Sequence, residues 1–166
     1  MTFVVTDTSV LINLIHVNRL DLLGSLRDHE FLVPREVIDE VEYPSQREIL
    51  QAGLDNGYVR EAPPMDPQEL STFANLKWEL GRGESACLAM AQHRSWHVAC
   101  DERRAFRRIA EERLGNLNRI LNTPTILRLA IQNGILTVTD ADAIKQELEQ
   151  RHRFKMKDFS SFEELL

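Results

Sequence analysis

Two short apolar stretches of the chain each end on a carboxylate: "FVVTD" closes on Asp7 and "WHVACD" on Asp101. A segment built for burial has no ordinary use for a charge at its end, because an ion withdrawn from water is costly unless a partner meets it. If both stretches are strands of one parallel sheet, their carboxyl ends open onto a shared crevice. Asp7 and Asp101 can then lie side by side although 94 positions (101 minus 7) separate them. Like charges at short range call for a cation between them, and an all-oxygen donor set suits Mg²⁺ or Mn²⁺ better than zinc. A structural account competes for Asp7: Asp7, Thr8 or Ser9 can cap the helix that "SVLINLI" begins.

Two glutamates extend the pattern. Glu40 lies in "VIDEV", where Val37, Ile38 and Val41 mark the buried face and leave Glu40 near its boundary. Glu84 follows "GRG" in the first turn of a helix, where a negative group is favoured by the helix dipole. Taken singly, Glu40 reads equally as a solvated helix residue and Glu84 as a dipole partner. Their coincidence with two strand-end aspartates favours function. The five histidines (16, 29, 93, 97 and 152) do not repeat at metal-ligand spacing, and Cys87 and Cys100 lack the number and spacing of a disulfide framework or zinc knuckle. Cys100 sits in an apolar stretch and reads as core rather than as a nucleophile.

The elements that must position these groups alternate between strand and helix. "FVV", "HEFLVP", the edge-like "YVREAPP" and "WHVACD" read as strands. Helical patterns occupy Ser9 to Ile15, Leu20 to Leu26, "PREVIDEVEY", "SQREILQAGLDNG", "MDPQELSTFANLKWEL", "GRGESACLAMAQHR", "ERRAFRRIAEERLG", "NTPTILRLAIQNG" and "TVTDADAIKQELEQRH". In the last of these, Thr139 and Asp142 are spaced like the two ends of a capping box. The alternation points to an α/β fold with helices on both faces of a parallel sheet.

Four blocks, "VVTDTSVLINL", "VPREVIDEV", "LGRGESACLAMA" and "ACDERRAFRRIAEERLG", in this order and with these gaps, resemble the PIN-domain family of metal-dependent ribonucleases. They are most similar to a predicted nucleic-acid-binding subgroup with G-x-G-E and D-[DE]-R-R-A blocks. The resemblance runs from about Phe3 to Leu136, and "TPTILRLAIQNGILT" resembles the helix these proteins carry after the last strand. It implies a three-layer α/β/α fold on a short parallel sheet of about five strands, with residues 1–136 as the nuclease unit and 137–166 as a helical extension packed on it.

It further implies that Asp7, Glu40, Glu84 and Asp101 form the acidic cluster, with metal held through Asp7, Asp101 and Glu84. Ser9 supports the Asp7 loop, and Glu102 serves as an auxiliary carboxylate where the family often has Asp. The chemistry would be hydrolysis of RNA phosphodiester bonds by water activated on Mg²⁺ or Mn²⁺. Small single-domain members resemble the toxin half of toxin–antitoxin pairs, commonly homodimers inhibited by a small antitoxin protein. The different-class alternative is a catalytically silent PIN-fold module that binds RNA or protein.

Composition bounds these readings. At 166 residues and 43% hydrophobic, the chain suits one domain with a real core. Two cysteines, no secretory pattern and no apolar run of spanning length give the expectation of a cytoplasmic protein without a membrane segment. A net charge of −6 excludes nucleic-acid binding by overall basicity. The exception lies between Asp101 and Arg128, where seven arginines face four acidic residues. Arg103, Arg104 and Arg107, beside the proposed site, are the expected RNA contacts, and a solvated helix face paired to Glu111 and Glu112 is the competing account. An aspartyl-nucleophile phosphatase also starts from a strand-end Asp, but it needs D-x-D, and the second position here is Ser9.

Overall fold

The computed structural model describes residues 1–101 and 103–166. Five strands, β1 (Thr2–Thr6), β2 (His29–Val33), β3 (Arg60–Glu61), β4 (His97–Ala99) and β5 (Ile120–Leu121), form one sheet in the order β3-β2-β1-β4-β5, and every pairing is parallel. Among the described residues the helices are α1 (Thr8–His16), α2 (Asp21–Ser25), α3 (Arg35–Glu40), α4 (Pro44–Asp55), α5 (Pro67–Leu76), α6 (Arg82–Arg94), α7 (Arg104–Leu114), α8 (Thr123–Gln132) and α9 (Val138–Arg151). A short 3-10 helix, Phe162–Leu165, follows. This is the α/β architecture expected of a PIN-like fold.

The strand order sets the location of the site. From β1 the chain builds outward through β2 and β3, then returns to the other side of β1 for β4 and β5. The order therefore reverses between β1 and β4, and beyond their carboxyl ends the flanking loops diverge and leave a crevice. Val4 and Val5 are fully buried, Val5 opposite Val98 and Thr6 opposite Ala99, and Asp7 N–H continues the ladder by donating to Ala99 O at 2.8 Å. Helix α6 is buried without interruption from Gly83 to Ala91, which its run of small residues permits. Leu148 of α9 and Phe162 of the 3-10 helix are fully buried in the same core.

Several boundaries depart from the expectation. "PREVIDEVEY" is helical only to Glu40, where α3 stops; Tyr43, which precedes a proline, is extended (ψ 126°), and α4 opens at Pro44 itself. Helix α5 ends at Leu76, and Gly81 instead caps α6. The capping box of α9 is Thr137 with Asp140, not Thr139 with Asp142. Both pairs have the right spacing, and burial of Ala141, Ile144 and Leu148 selects the earlier one. Asp142 instead accepts from Ser161 Oγ and Phe162 N at 2.7 and 2.8 Å, fastening the carboxyl-terminal segment. The two-residue β5 is too short to have given a periodic pattern.

Candidate functional site

Asp7, Glu40, Glu84 and Asp101 line one cavity of about 390 Å³ together with Ser9 and Arg103. Four elements supply the carboxylates. Asp7 follows β1 and caps α1; its side chain, 5% exposed, accepts from Ser9 N at 3.2 Å and Ser9 Oγ at 2.7 Å. The side chain that caps α1 is thus also one that lines the cavity. Cys100 Sγ also donates to it at 3.6 Å, and all three contacts fall on Oδ2. Ser9 Oγ in turn accepts from Asp101 N at 3.1 Å, so one hydroxyl ties the two strand ends together.

Asp101 is held by residues the sequence reading did not single out. Thr123 N donates to Oδ1 at 2.8 Å, while Thr123 Oγ1 and Asn13 Nδ2 donate to Oδ2 at 2.6 and 2.8 Å. Asn13 left a trace: it is a polar residue at 7% exposure inside the apolar run "VLINLI", and such a group needs a partner. Thr123, at the start of α8, and Phe154, which also lines the cavity, left none, because their positions depend on distant parts of the chain.

The "GRGE" motif has a mechanical reading. Gly81 N–H donates to Glu84 Oε1 at 3.2 Å, and Gly83 N–H donates to Glu40 Oε1 at 2.7 Å. A Cβ on Gly83 would sit 2.6 Å from Glu40 Oε2, so only glycine lets this carboxylate approach the start of α6. Thr8 Oγ1 donates to the same Oε2 at 2.5 Å. Glu40 thereby joins the ends of α3, α1 and α6, although its residue as a whole is exposed.

The electrostatics follow from this crowding. Burial pushes the Asp7 carboxyl above its ordinary range and the charge of Glu84 adds to this, while the Ser9 bonds oppose it. Burial likewise raises Asp101, with Asp7 adding and the bonds from Thr123 and Asn13 opposing. One cation already faces the cluster: Arg103 Nη2 donates to Glu84 Oε1. Arg107 lines a neighbouring cavity, Arg104 is exposed on α7, and Glu102 lies outside the described residues. Arg108 meets Glu79 and Glu112 at 3.5 and 3.9 Å on a wet face, where such pairs contribute little.

Among the described residues, no three His, Cys, Asp or Glu side chains stand close enough together to enclose a metal ion as they are. The donor chemistry nevertheless fits a hard divalent cation. The contacts to Asp7 fall on Oδ2 and those to Glu84 on Oε1, so Asp7 Oδ1 and Glu84 Oε2 are the oxygens least committed to protein donors.

A family model described as a PIN domain matches residues 3–160. The chain belongs to the PIN-domain family. PIN domains are generally nucleases and typically use divalent metals. A search of curated proteins found no match to this chain. No described helix of this PIN domain is long and apolar enough to cross a membrane.

Proposed function

We propose that this PIN domain is a metal-dependent endoribonuclease that hydrolyses RNA phosphodiester bonds with Mg²⁺ or Mn²⁺. The observation that carries the proposal is the meeting of Asp7, Glu40, Glu84 and Asp101, from four separate elements, around one cavity at the carboxyl ends of β1 and β4.

In this reading Asp7, Glu84 and Asp101 would hold the ion, since each keeps carboxylate lone pairs not taken by protein donors. The ion, when bound, makes water a stronger nucleophile at neutral pH and offsets charge on the phosphate. Ser9, Asn13 and Thr123 fix the two aspartates so that they need not reorganise when substrate arrives. Glu40 positions the first turn of α6, and hence Glu84, through Gly83. Arg103, Arg104 and Arg107 draw the RNA phosphates to an otherwise acidic centre. The 137–166 segment is read as an extension of the nuclease unit of residues 1–136. Action as a cytoplasmic homodimeric toxin restrained by a small antitoxin protein belongs to the same proposal and is supported by resemblance.

One observation favours a silent RNA-binding module instead: Glu84 already has Arg103 as its counterion. Cleavage of single-stranded RNA with added Mn²⁺ or Mg²⁺, beside EDTA and the Asp7→Asn variant, decides between the readings. Metal-dependent cleavage that Asp7→Asn removes by a factor on the order of 100 or more supports the nuclease. RNA binding without cleavage under any metal supports the silent module.

A further inference from the structure

A second cavity of about 550 Å³ adjoins the first and shares Asp101 and Phe154 with it. Its cations come from three parts of the fold: Arg107 on α7, Arg128 on α8, and Lys155 and Lys157 from the segment after α9. Among the described residues, Arg128, Lys155 and Lys157 by themselves outnumber Asp101 and Asp158 here, so the groove is locally basic on a chain of net charge −6.

The segment carrying the two lysines is fastened at both ends. It leaves α9 through Arg153 in the left-handed region (φ 56°), and Phe154 N–H donates to Leu148 O at 3.1 Å. Met156 is buried at 4% exposure while Lys155 and Lys157 on either side are exposed, so an alternating backbone seats one residue in the core and turns two cations outward. Phe159 then packs edge-on against Phe162 with ring centroids 4.9 Å apart, and Asp142 anchors Ser161 and Phe162. Across the groove, the buried Nε of Arg128 has no hydrogen-bond partner among the described residues, which leaves a donor at the wall of a basic cavity. Lys155 and Lys157 form no ion pair with any described carboxylate.

We infer that this groove is the track for the RNA strand flanking the scissile phosphate: Arg128, Lys155 and Lys157 hold successive backbone phosphates, and a base stacks on Phe154 where the two cavities meet. The inference rests on the ribonuclease reading of the acidic site. Continuity with the acidic cavity favours a nucleic-acid strand over an acidic protein segment, because a strand bound at the acidic site can continue past Phe154 into the groove, the two cavities sharing that residue and Asp101. A basic wall with one aromatic face also matches how single strands are held without sequence readout.

The test is fluorescence anisotropy of the full chain with a labelled twelve-residue oligouridylate, in EDTA and at several salt concentrations. Lys155→Gln/Lys157→Gln is compared with Arg27→Gln/Arg47→Gln, which makes the same charge change at exposed sites outside the groove. The groove pair is expected to weaken binding about tenfold and to reduce the log–log salt slope by about 1.4, at roughly 0.7 per lost contact to a single strand, while the outside pair shifts binding less than about twofold. Phe154→Leu, checked for folding by its melting curve, is expected to weaken binding about tenfold with the slope unchanged. Equal effects of the two charge pairs, in a protein that still cleaves RNA with Mn²⁺, overturn the groove and leave the nuclease reading intact. A wild-type protein that neither binds nor cleaves overturns both. Lysine-dependent binding of an oligoglutamate peptide without RNA binding assigns the groove to an acidic protein partner and overturns the inference.

Discussion

Two Arg–Glu pairs flank helix α6, and they are built for opposite ends. At its carboxyl end, Arg94 grips Glu69 with two bonds of 2.6 and 2.7 Å and reaches Pro64 O at 3.0 Å, while Glu69 is fully buried and closes the α5 capping box with Asp66. At its amino end, Glu84 is nearly as buried, but its partner Arg103 is 65% exposed and touches a single oxygen. Three of the four lone-pair sites of Glu69 are taken, two by Arg94 and one by Asp66 N–H, and the carboxylate is fully buried, so it is closed to a further cation from solvent. One held at a single oxygen by an exposed arm has a second oxygen free to meet a metal ion, and that arm lies within reach of a phosphate in solvent. The same residue types thus make a buried joint in one place and line an open cavity in the other, and the difference lies in exposure and in how many lone pairs remain.

Substitution at each glutamate should separate the two roles. Glu84→Gln is expected to lower metal-dependent RNA cleavage by on the order of 100-fold or more while shifting the melting midpoint little. Glu69→Gln leaves Arg94 partly buried without its counterion and should cost about 3 kcal/mol of stability, with the activity of the remaining folded protein unchanged. Denaturant titration and cleavage assays on the same preparations read both effects, and matching profiles for the two variants would erase the distinction.

Gly83→Ala sharpens the comparison without touching a charge. The added methyl meets Glu40 Oε2 at 2.6 Å and must displace that carboxylate from the amino end of α6. The lost bond costs about 1 kcal/mol, and alanine's better helix propensity returns about the same, so net stability should change by less than about 1 kcal/mol. Cleavage should fall about tenfold, as when a group that orients a metal ligand is lost. Unchanged cleavage would remove Glu40 from the positioning role.

Arg103→Gln should show the smaller side of the contrast. An exposed ion pair contributes at most about 1 kcal/mol, so the fold should persist. Without its resident cation the cluster should bind Mn²⁺ several-fold more tightly, read by titration calorimetry in the absence of RNA. Weaker Mn²⁺ binding would mean that the arginine organises the cluster rather than competing for it.

The acidic cavity was more legible in the sequence than the parts that tune it. Asp7 and Asp101 stood out because apolar strands do not ordinarily end on charges, and the all-parallel sheet brings both to the point where strand order reverses. Glu40 and Glu84 were readable by company, since "GRGE" and "VIDEV" each had an ordinary helical explanation. The Glu69–Arg94 joint gave no sign, because two charged residues 25 positions apart look like any solvated pair until folding buries one of them. Phe154 and the lysines after it were equally silent. Their position follows from where α9 delivers the chain, which no local periodicity encodes. The fold class was recoverable because short apolar runs alternate with helical ones, whereas two-residue strands such as β5 carry too few positions for any period.

A third close pair shows the smallest effect and tests whether proximity alone distinguishes a joint from a site. His16 stacks on His152 with ring centroids 4.0 Å apart, tying α1 to the end of α9. Burial lowers the His16 pKa and the neighbouring His152 lowers it further, since two imidazolium ions cannot stack without repulsion. The sign follows from linkage. Below about pH 6.5 the unfolded chain takes up a proton that the folded one resists, so the stability contributed by neutral His16 is complete above that pH. It is lost as pH falls toward the lowered folded value. His29 and His97 are also lowered, chiefly by burial, so the wild-type curve sums three such groups. His16→Phe keeps a stacked ring without a titrating nitrogen, and its melting midpoint should fall less steeply than wild type as pH drops below about 6.5. Parallel curves would show that the stack carries no proton linkage, leaving its contribution to the packing of α9 purely one of contact.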